Sequence, residues 1–201
     1  IEVDKDKLSP GILLADHYYI EENLHTPVKQ RPLQDQIKLY IEMQRIVMKQ
    51  VGINPSDKMA LNIVQQIGKL FTNRSFALFD DVQSALGLLK QKGLTLGIIS
   101  NIEVELAPVC HGLGIGPFID IIVTSQQVGW GKPHSAIYLA ALEQAGVQAH
   151  KSIYVGDHYS TDIVGAEKVG MQGALLDRYG LFSQVKANLR IRNLTDLLDH
   201  T

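Results

Sequence analysis

Two hydrophobic periodicities divide the chain. From about Pro10 to Phe71 the apolar residues recur at helical spacing. Ile37, Tyr40, Ile41, Val47, Met48 and Val51 form one run, and Met59, Ile63, Ile67, Leu70 and Phe71 another. Between them, Gly52-Ile53-Asn54-Pro55-Ser56-Asp57 reads as a stop and a restart: Gly52 closes one helix, and Pro, Ser and Asp open the next. From Phe79 onward, short apolar runs alternate with helical ones. The pattern predicts helices over 81–91, 102–113, 135–145 and 161–169, and strands over 94–100, 119–125, 152–156 and 173–176. Ser135 is the expected N-cap of its helix, and one more helix is expected near 194–200. Alternation of this kind implies an α/β fold with a parallel sheet and right-handed crossovers. The expected organisation is a small all-helical unit over 1–75 and an α/β unit over 76–201.

Composition adds exclusions. With 45% hydrophobic and 20% charged residues, the chain has the make-up of a soluble globular protein. A formal net charge of -2 argues for neither a nucleic-acid partner nor a membrane surface, and no apolar run approaches a membrane span. The single cysteine, Cys110, permits no intrachain disulfide and points to a reducing, cytoplasmic setting. No Lys or Arg lies close to it in sequence to lower its pKa, so a buried structural thiol is expected. The chain opens on Ile1 rather than Met, which leaves room for an upstream segment, a targeting segment included.

The candidate chemistry sits at the mouths of the predicted strands. Ser100 ends the run Leu96-Gly97-Ile98-Ile99, Asp157 ends Tyr154-Val155-Gly156, and Lys132 lies in the turn Gly131-Lys132-Pro133 after another strand. In parallel α/β sheets, ligands bind beyond the carboxyl ends of the strands. Ser100 can donate to a phosphate oxygen, and a helix expected to begin near Asn101 would offer free N–H groups to an anion. Lys132 is a compact cation able to offset phosphate charge. Asp157 is a hard oxygen ligand suited to Mg²⁺, and Asp162 can supply a direct or supporting carboxylate.

These motifs resemble those of the haloacid dehalogenase (HAD) superfamily. Leu96-Gly97-Ile98-Ile99-Ser100-Asn101, Gly131-Lys132-Pro133 and Val155-Gly156-Asp157 with Asp162 look like its second, third and fourth motifs. The strings Val128-Gly129-Trp130-Gly131-Lys132-Pro133 and Asp162-Ile163-Val164-Gly165-Ala166 through Gly170-Met171 sharpen the likeness, which covers most of residues 79–177. The resemblance implies a Rossmann-like sheet, Mg²⁺, a helical cap, and usually phosphate-ester hydrolysis through an aspartyl-phosphate. It assigns catalytic roles to Ser100, Lys132, Asp157 and Asp162, substrate contacts to Ser100, Asn101 and Lys132, and metal ligation to Asp157 and Asp162.

The first motif of that superfamily, an apolar strand followed by Asp-x-Asp-x-Thr, finds no convincing match. Asp4-Lys5-Asp6 has the spacing, but Ile1-Glu2-Val3 is short and charged, and Leu8 stands in place of Thr. Two readings stay open: the nucleophile lies upstream, or it is Asp4. The upstream reading is the expectation, with Ile1–Leu8 linking two cap helices. The family's first strand is central in the sheet, so without it the strands ending at Ser100 and Asp157 would expose their edges.

Blander readings apply elsewhere. His134 and His158 each neighbour a motif residue and are kept off the catalytic list. Trp130 either lines the site or packs beneath its loop. Gly112-Leu113-Gly114-Ile115-Gly116 follows a helix and precedes a strand, so it reads as a helix end and turn rather than a dinucleotide loop. The functional expectation is a Mg²⁺-dependent phosphatase acting on a small phosphorylated metabolite. A 2-haloacid dehalogenase and a sugar phosphomutase are rival reactions, and a phosphate-binding or interaction module is the non-enzymatic alternative. Neither the substrate nor the oligomeric state is legible.

Overall fold

The computed structural model describes residues 5–70, 76–102 and 105–201. The chain divides into two compact units, Ile1–Ser75 and Phe76–Thr201.

Among its described residues the first unit holds three α-helices, α1 (Lys5–His25), α2 (Leu33–Gln50) and α3 (Asp57–Leu70), and a 3₁₀ turn over Val28–Gln30. Packing runs α1 on α2 and α2 on α3, and Ala15, Val28, Leu39 and Ala60 are buried. The joint between α2 and α3 follows the sequence signal. Gly52 adopts φ +76°, the left-handed conformation that glycine takes without a Cβ penalty. Gly52 N donates to Lys49 O and Ile53 N to Met48 O at 3.1 and 2.9 Å, the paired bonds that close a helix end. Ser56 Oγ then accepts from Met59 N at 3.3 Å and opens α3. The expected link over the first eight residues is not seen as such: α1 already begins at Lys5 and carries Pro10 inside it. Asp6 therefore sits in the first turn of a helix, and Asp4 lies outside the described residues.

The second unit is α/β, as the alternation predicts. Its elements are α4 (Val82–Gln91), β1 (Gly97–Ser100), α5 (Leu106–Gly112), β2 (Ile121–Thr124), α6 (Ser125–Val128), α7 (Ser135–Ala145), β3 (Ile153–Gly156), α8 (Val164–Glu167), β4 (Gln172–Leu176) and β5 (Leu189–Ile191). Every strand pair among the described residues is parallel. The strands form two sheets, β1-β2 and β3-β4-β5, and no ladder joins β1 to β3 among the described residues. One core gathers Val123, Ile137, Tyr138, Leu142, Tyr154 and Met171, with Ile99 and Ile121 against it. It draws on β1, β2 and β3, so apolar packing spans the break that backbone hydrogen bonds do not. A second core lies around Leu89, Ala174, Leu189, Ile191 and Leu197.

Several local expectations change. The helix after Ser100 begins only at Leu106, not near Asn101, so its first turn does not stand at the strand mouth. His134, not Ser135, caps α7, with Nδ1 accepting from Ala136 N at 3.2 Å. The helix expected over 161–169 begins instead as a π-turn over Tyr159–Ile163 that runs into α8. Strand β5 is absent from the sequence reading, because Leu189-Arg190-Ile191 is too short for periodicity to register. The tail Leu194–His200 is 3₁₀ rather than α. Cys110 is buried and burial raises its thiol pKa, consistent with an inert structural thiol. Gly112 ends α5, and Gly114 takes φ +72° in the turn that follows, as expected of that glycine run.

Candidate active site

The candidate groups gather at the carboxyl edge of β1 and β3. Ser100 is the last residue of β1, paired in register with Thr124, and is half-buried. Thr124 opens α6 with a reciprocal cap: its hydroxyl accepts from Gln127 N, and its own N–H donates to Gln127 Oε1. The chain leaves α6 through Gly129, in the left-handed region at φ +78°, and enters the loop Trp130-Gly131-Lys132-Pro133, whose Lys132–Pro133 peptide is cis.

Asn101 holds this loop. Its Oδ1 accepts from Lys132 N at 2.6 Å, and its Nδ2 donates to Lys132 O at 2.9 Å. A single amide side chain thereby satisfies both backbone groups of the lysine and ties the end of β1 to the loop after β2. Asn101, expected to touch substrate, bonds Lys132 through both ends of its amide and keeps a second N–H.

The Lys132 ammonium points inward. Its Nζ donates to Asp162 Oδ1 at 2.6 Å and to Tyr154 Oη at 3.0 Å. The Asp162 side chain is 3% exposed and that of Lys132 16%, so the pair is an internal one and not a screened surface bridge. The second oxygen of Asp162, Oδ2, accepts from His158 N at 3.0 Å. The π-turn places that carboxylate: Asp162 N donates to His158 O at 2.8 Å, which curls the chain back over the end of β3. Gly156 makes room for it, since a Cβ there would lie 2.4 Å from Cβ, Cγ and Oδ2 of Asp162.

Two tyrosines line the apolar side of the pair. Tyr154, on β3, and Tyr138, on α7, meet edge to face with centroids 5.2 Å apart. Tyr138 Oη donates to Thr161 O beside Asp162. Burial, then the neighbouring Asp162 and Asp157 charges, push the Tyr154 phenol far above its ordinary pKa. Burial also raises Tyr138, with Tyr154 and Asp162 adding to it. Both hydroxyls are therefore neutral at ordinary pH.

The structure thus brings Lys132 and Asp162 into contact and clamps Lys132 with Asn101. Ser100 and Asp157 stand at the same edge without hydrogen bonds to that pair. Asp157 is exposed, directly after β3. Among the described residues, no group of three or more His, Cys, Asp or Glu forms a metal cage. Mg²⁺ is commonly held by one or two carboxylates together with water and substrate phosphate. Asp157 is the open carboxylate of the two; both oxygens of Asp162 already accept protein hydrogen bonds.

The two histidines have structural tasks. His158 is 2% exposed, and its Nδ1 accepts from Thr161 N at 3.3 Å. His134 caps α7 and stacks on Trp130 at 4.2 Å between centroids. Trp130 is 58% exposed, so it does not pack beneath its loop. Sequence reasoning missed Tyr154 and Tyr138 as neighbours of the lysine. The available signal was a polar-tipped aromatic, Tyr154, in an otherwise apolar strand.

A parallel α/β unit with an internal lysine–aspartate pair and an open carboxylate at its strand ends defines the class of protein. The chain belongs to the haloacid dehalogenase-like hydrolases, whose family model matches residues 16–176. It is 28% identical over 138 residues to haloacid dehalogenase-like hydrolase domain-containing protein 3 of Bos taurus, covering 68% of this chain and 55% of that protein. It is 39% identical over 111 residues to glyceraldehyde 3-phosphate phosphatase of Methanothermobacter thermautotrophicus, covering 53% of this chain and 49% of that protein. Among solved structures, a magnesium-bound HAD-hydrolase, YfnB, from Bacillus subtilis superposes with a TM-score of 0.62 at 15% identity, covering 100% of this chain and 84% of the other. At that identity the likeness speaks for the fold alone. The chain spans about half the length of the curated relatives it matches.

Proposed function

We propose that the chain carries the cap and most of the core of a Mg²⁺-dependent phosphatase that hydrolyses a small phosphorylated metabolite through an aspartyl-phosphate. The observation that carries this reading is the Lys132 ammonium, held by Asp162 and Tyr154 and clamped through its backbone by Asn101. A fixed cation at the carboxyl edge offsets phosphate charge in the ground state and the charge that develops in transfer. Ser100 donates a hydrogen bond to a phosphate oxygen. Asp157 offers its carboxylate to Mg²⁺, which when bound neutralises phosphate charge. Asp162 acts by orienting Lys132. The curated phosphatases among the relatives support the substrate class. The helical unit over 1–75 is the cap, and the unit over 76–201 is the core.

The absence of a described ladder between β1 and β3 favours a second reading for this chain taken alone: a phosphate-binding module without turnover. Hydrolysis of an aryl phosphate separates the two. Turnover that needs Mg²⁺, stops with a chelator and is lost in Asp157→Asn supports the phosphatase. Phosphate and Mg²⁺ binding by the folded chain without turnover supports the module. Full activity of Asp157→Asn in chelator removes the metal role.

A further inference from the structure

We infer that Tyr154 is a positioning residue that fixes the rotation of the Lys132 ammonium and so aims its remaining N–H into the site. The inference deepens the reading of Lys132 as the phosphate-facing cation and rests on it.

An ammonium has three N–H groups and accepts nothing. One N–H of Lys132 goes to Asp162 Oδ1 at 2.6 Å and a second to Tyr154 Oη at 3.0 Å. Two fixed acceptors at a tetrahedral nitrogen determine where the third N–H points. With Asp162 alone the ammonium could turn about a single bond, and its free donors would sweep a cone.

The phenol oxygen accepts from Lys132, so its own proton is left for the Asp162 carboxylate beside it or for Ile99 O, on β1, 3.5 Å away. Tyr154 thus reaches from β3 towards the edge of β1. The ring cannot drift, because it stands edge-on to Tyr138, which is itself fully buried and bonded to Thr161 O. The ammonium also lies 5.5 Å from the Tyr154 ring centroid, within the range of a cation–π contact. Removal of the hydroxyl alone leaves that ring contact in place.

The test is residue-resolved acylation of lysines in the full chain by a limiting amine-reactive ester, read by peptide mass spectrometry, with exposed Lys151 as the internal reference. Tyr154→Phe keeps the ring and deletes the acceptor. Its Lys132 is expected to acylate about tenfold faster than wild type relative to Lys151, the size of one lost hydrogen bond to a charged group. Tyr138→Phe removes a structural bond but no contact to Lys132, and its Lys132 is expected to stay within about twofold of wild type. An unchanged Lys132 rate in Tyr154→Phe overturns the inference, as does an equal rise in both variants, which would mark general loosening. If Tyr154→Phe does not fold, 3-fluorotyrosine at position 154, which keeps the ring and weakens the acceptor, decides: faster acylation of Lys132 relative to Lys151 supports the restraint, and an unchanged rate overturns it. Inorganic phosphate supplies the separate arm. Failure of phosphate to protect wild-type Lys132 from acylation sinks the phosphate-facing role, whatever the variants show.

Discussion

Lys132 and Asp162 meet at 2.6 Å although thirty residues separate them in the chain, and the carboxylate is almost wholly out of water. Removing one partner of such a pair leaves a charge with little solvent to receive it. Asp162→Ala is expected to cost about 3 kcal/mol, read by chemical denaturation. The double variant Lys132→Met with Asp162→Leu should recover at least half of that loss, because no buried charge remains. A double variant as unstable as the single one would mean that the pair matters through its shape rather than its charge.

Asn101 joins the end of β1 to the loop that carries the lysine. Asn101→Ala deletes both hydrogen bonds and should destabilise the protein by about 1–2 kcal/mol. It should also weaken binding of inorganic phosphate, measured by calorimetry, since Lys132 loses its backbone anchor. Unaltered phosphate affinity would show that the side chain of Lys132 is placed without the clamp.

Gly156 is defined by the carboxylate beside it. A methyl group there would stand 2.4 Å from three atoms of Asp162. Gly156→Ala must displace that side chain and its bonds to Lys132 and His158, at an expected cost of about 1–3 kcal/mol for overpacking. Thermal unfolding together with hydrolysis assays checks this. A variant as stable and as active as wild type would contradict the tight packing at this turn.

Acid should reach the α/β unit through Asp81. Its carboxylate accepts from Arg178 Nη1 at 2.9 Å and from Leu194 N at 2.6 Å. Burial pushes its pKa up, but the Leu194 bond and the bond and charge of Arg178 outweigh that and hold it below the ordinary value. A depressed folded-state pKa contributes stability above the unfolded value, and that contribution is lost as pH falls through the folded value. Asp81→Asn should therefore be less stable than wild type at neutral pH by about 1–3 kcal/mol. The gap should begin to narrow below about pH 4 and close only as pH falls through the lower folded value. Denaturation curves at both pH values test it, and a gap unchanged in acid would reject the linkage.

Much of the architecture was legible because it is written locally. The joint at Gly52 and Ser56, the short apolar runs that become β1 to β4, and helix α7 each follow from residues within a few positions of one another. Boundaries moved where a capping side chain or a turn decided them: His134 took the cap from Ser135, and a π-turn replaced the first turn of the helix at Thr161. Strand β5 exists because β4 offers it a parallel edge, with Leu175 facing Arg190 and Leu176 facing Ile191; three residues carry no periodicity of their own.

The sequence by itself determined which chemical groups would stand at the strand mouths, because a strand end and the turn after it are set by adjacent residues. That is why Ser100, Lys132 and Asp157 could be named before any fold was known. Tertiary structure alone decided what those groups do to one another. The Asn101 clamp closes across thirty-one residues, and the bond from Lys132 to Tyr154 across twenty-two. Contacts at such separations depend on how the strands align and how the helix between them packs. Side-chain hydrogen bonds follow from that placement and leave no local pattern in the chain.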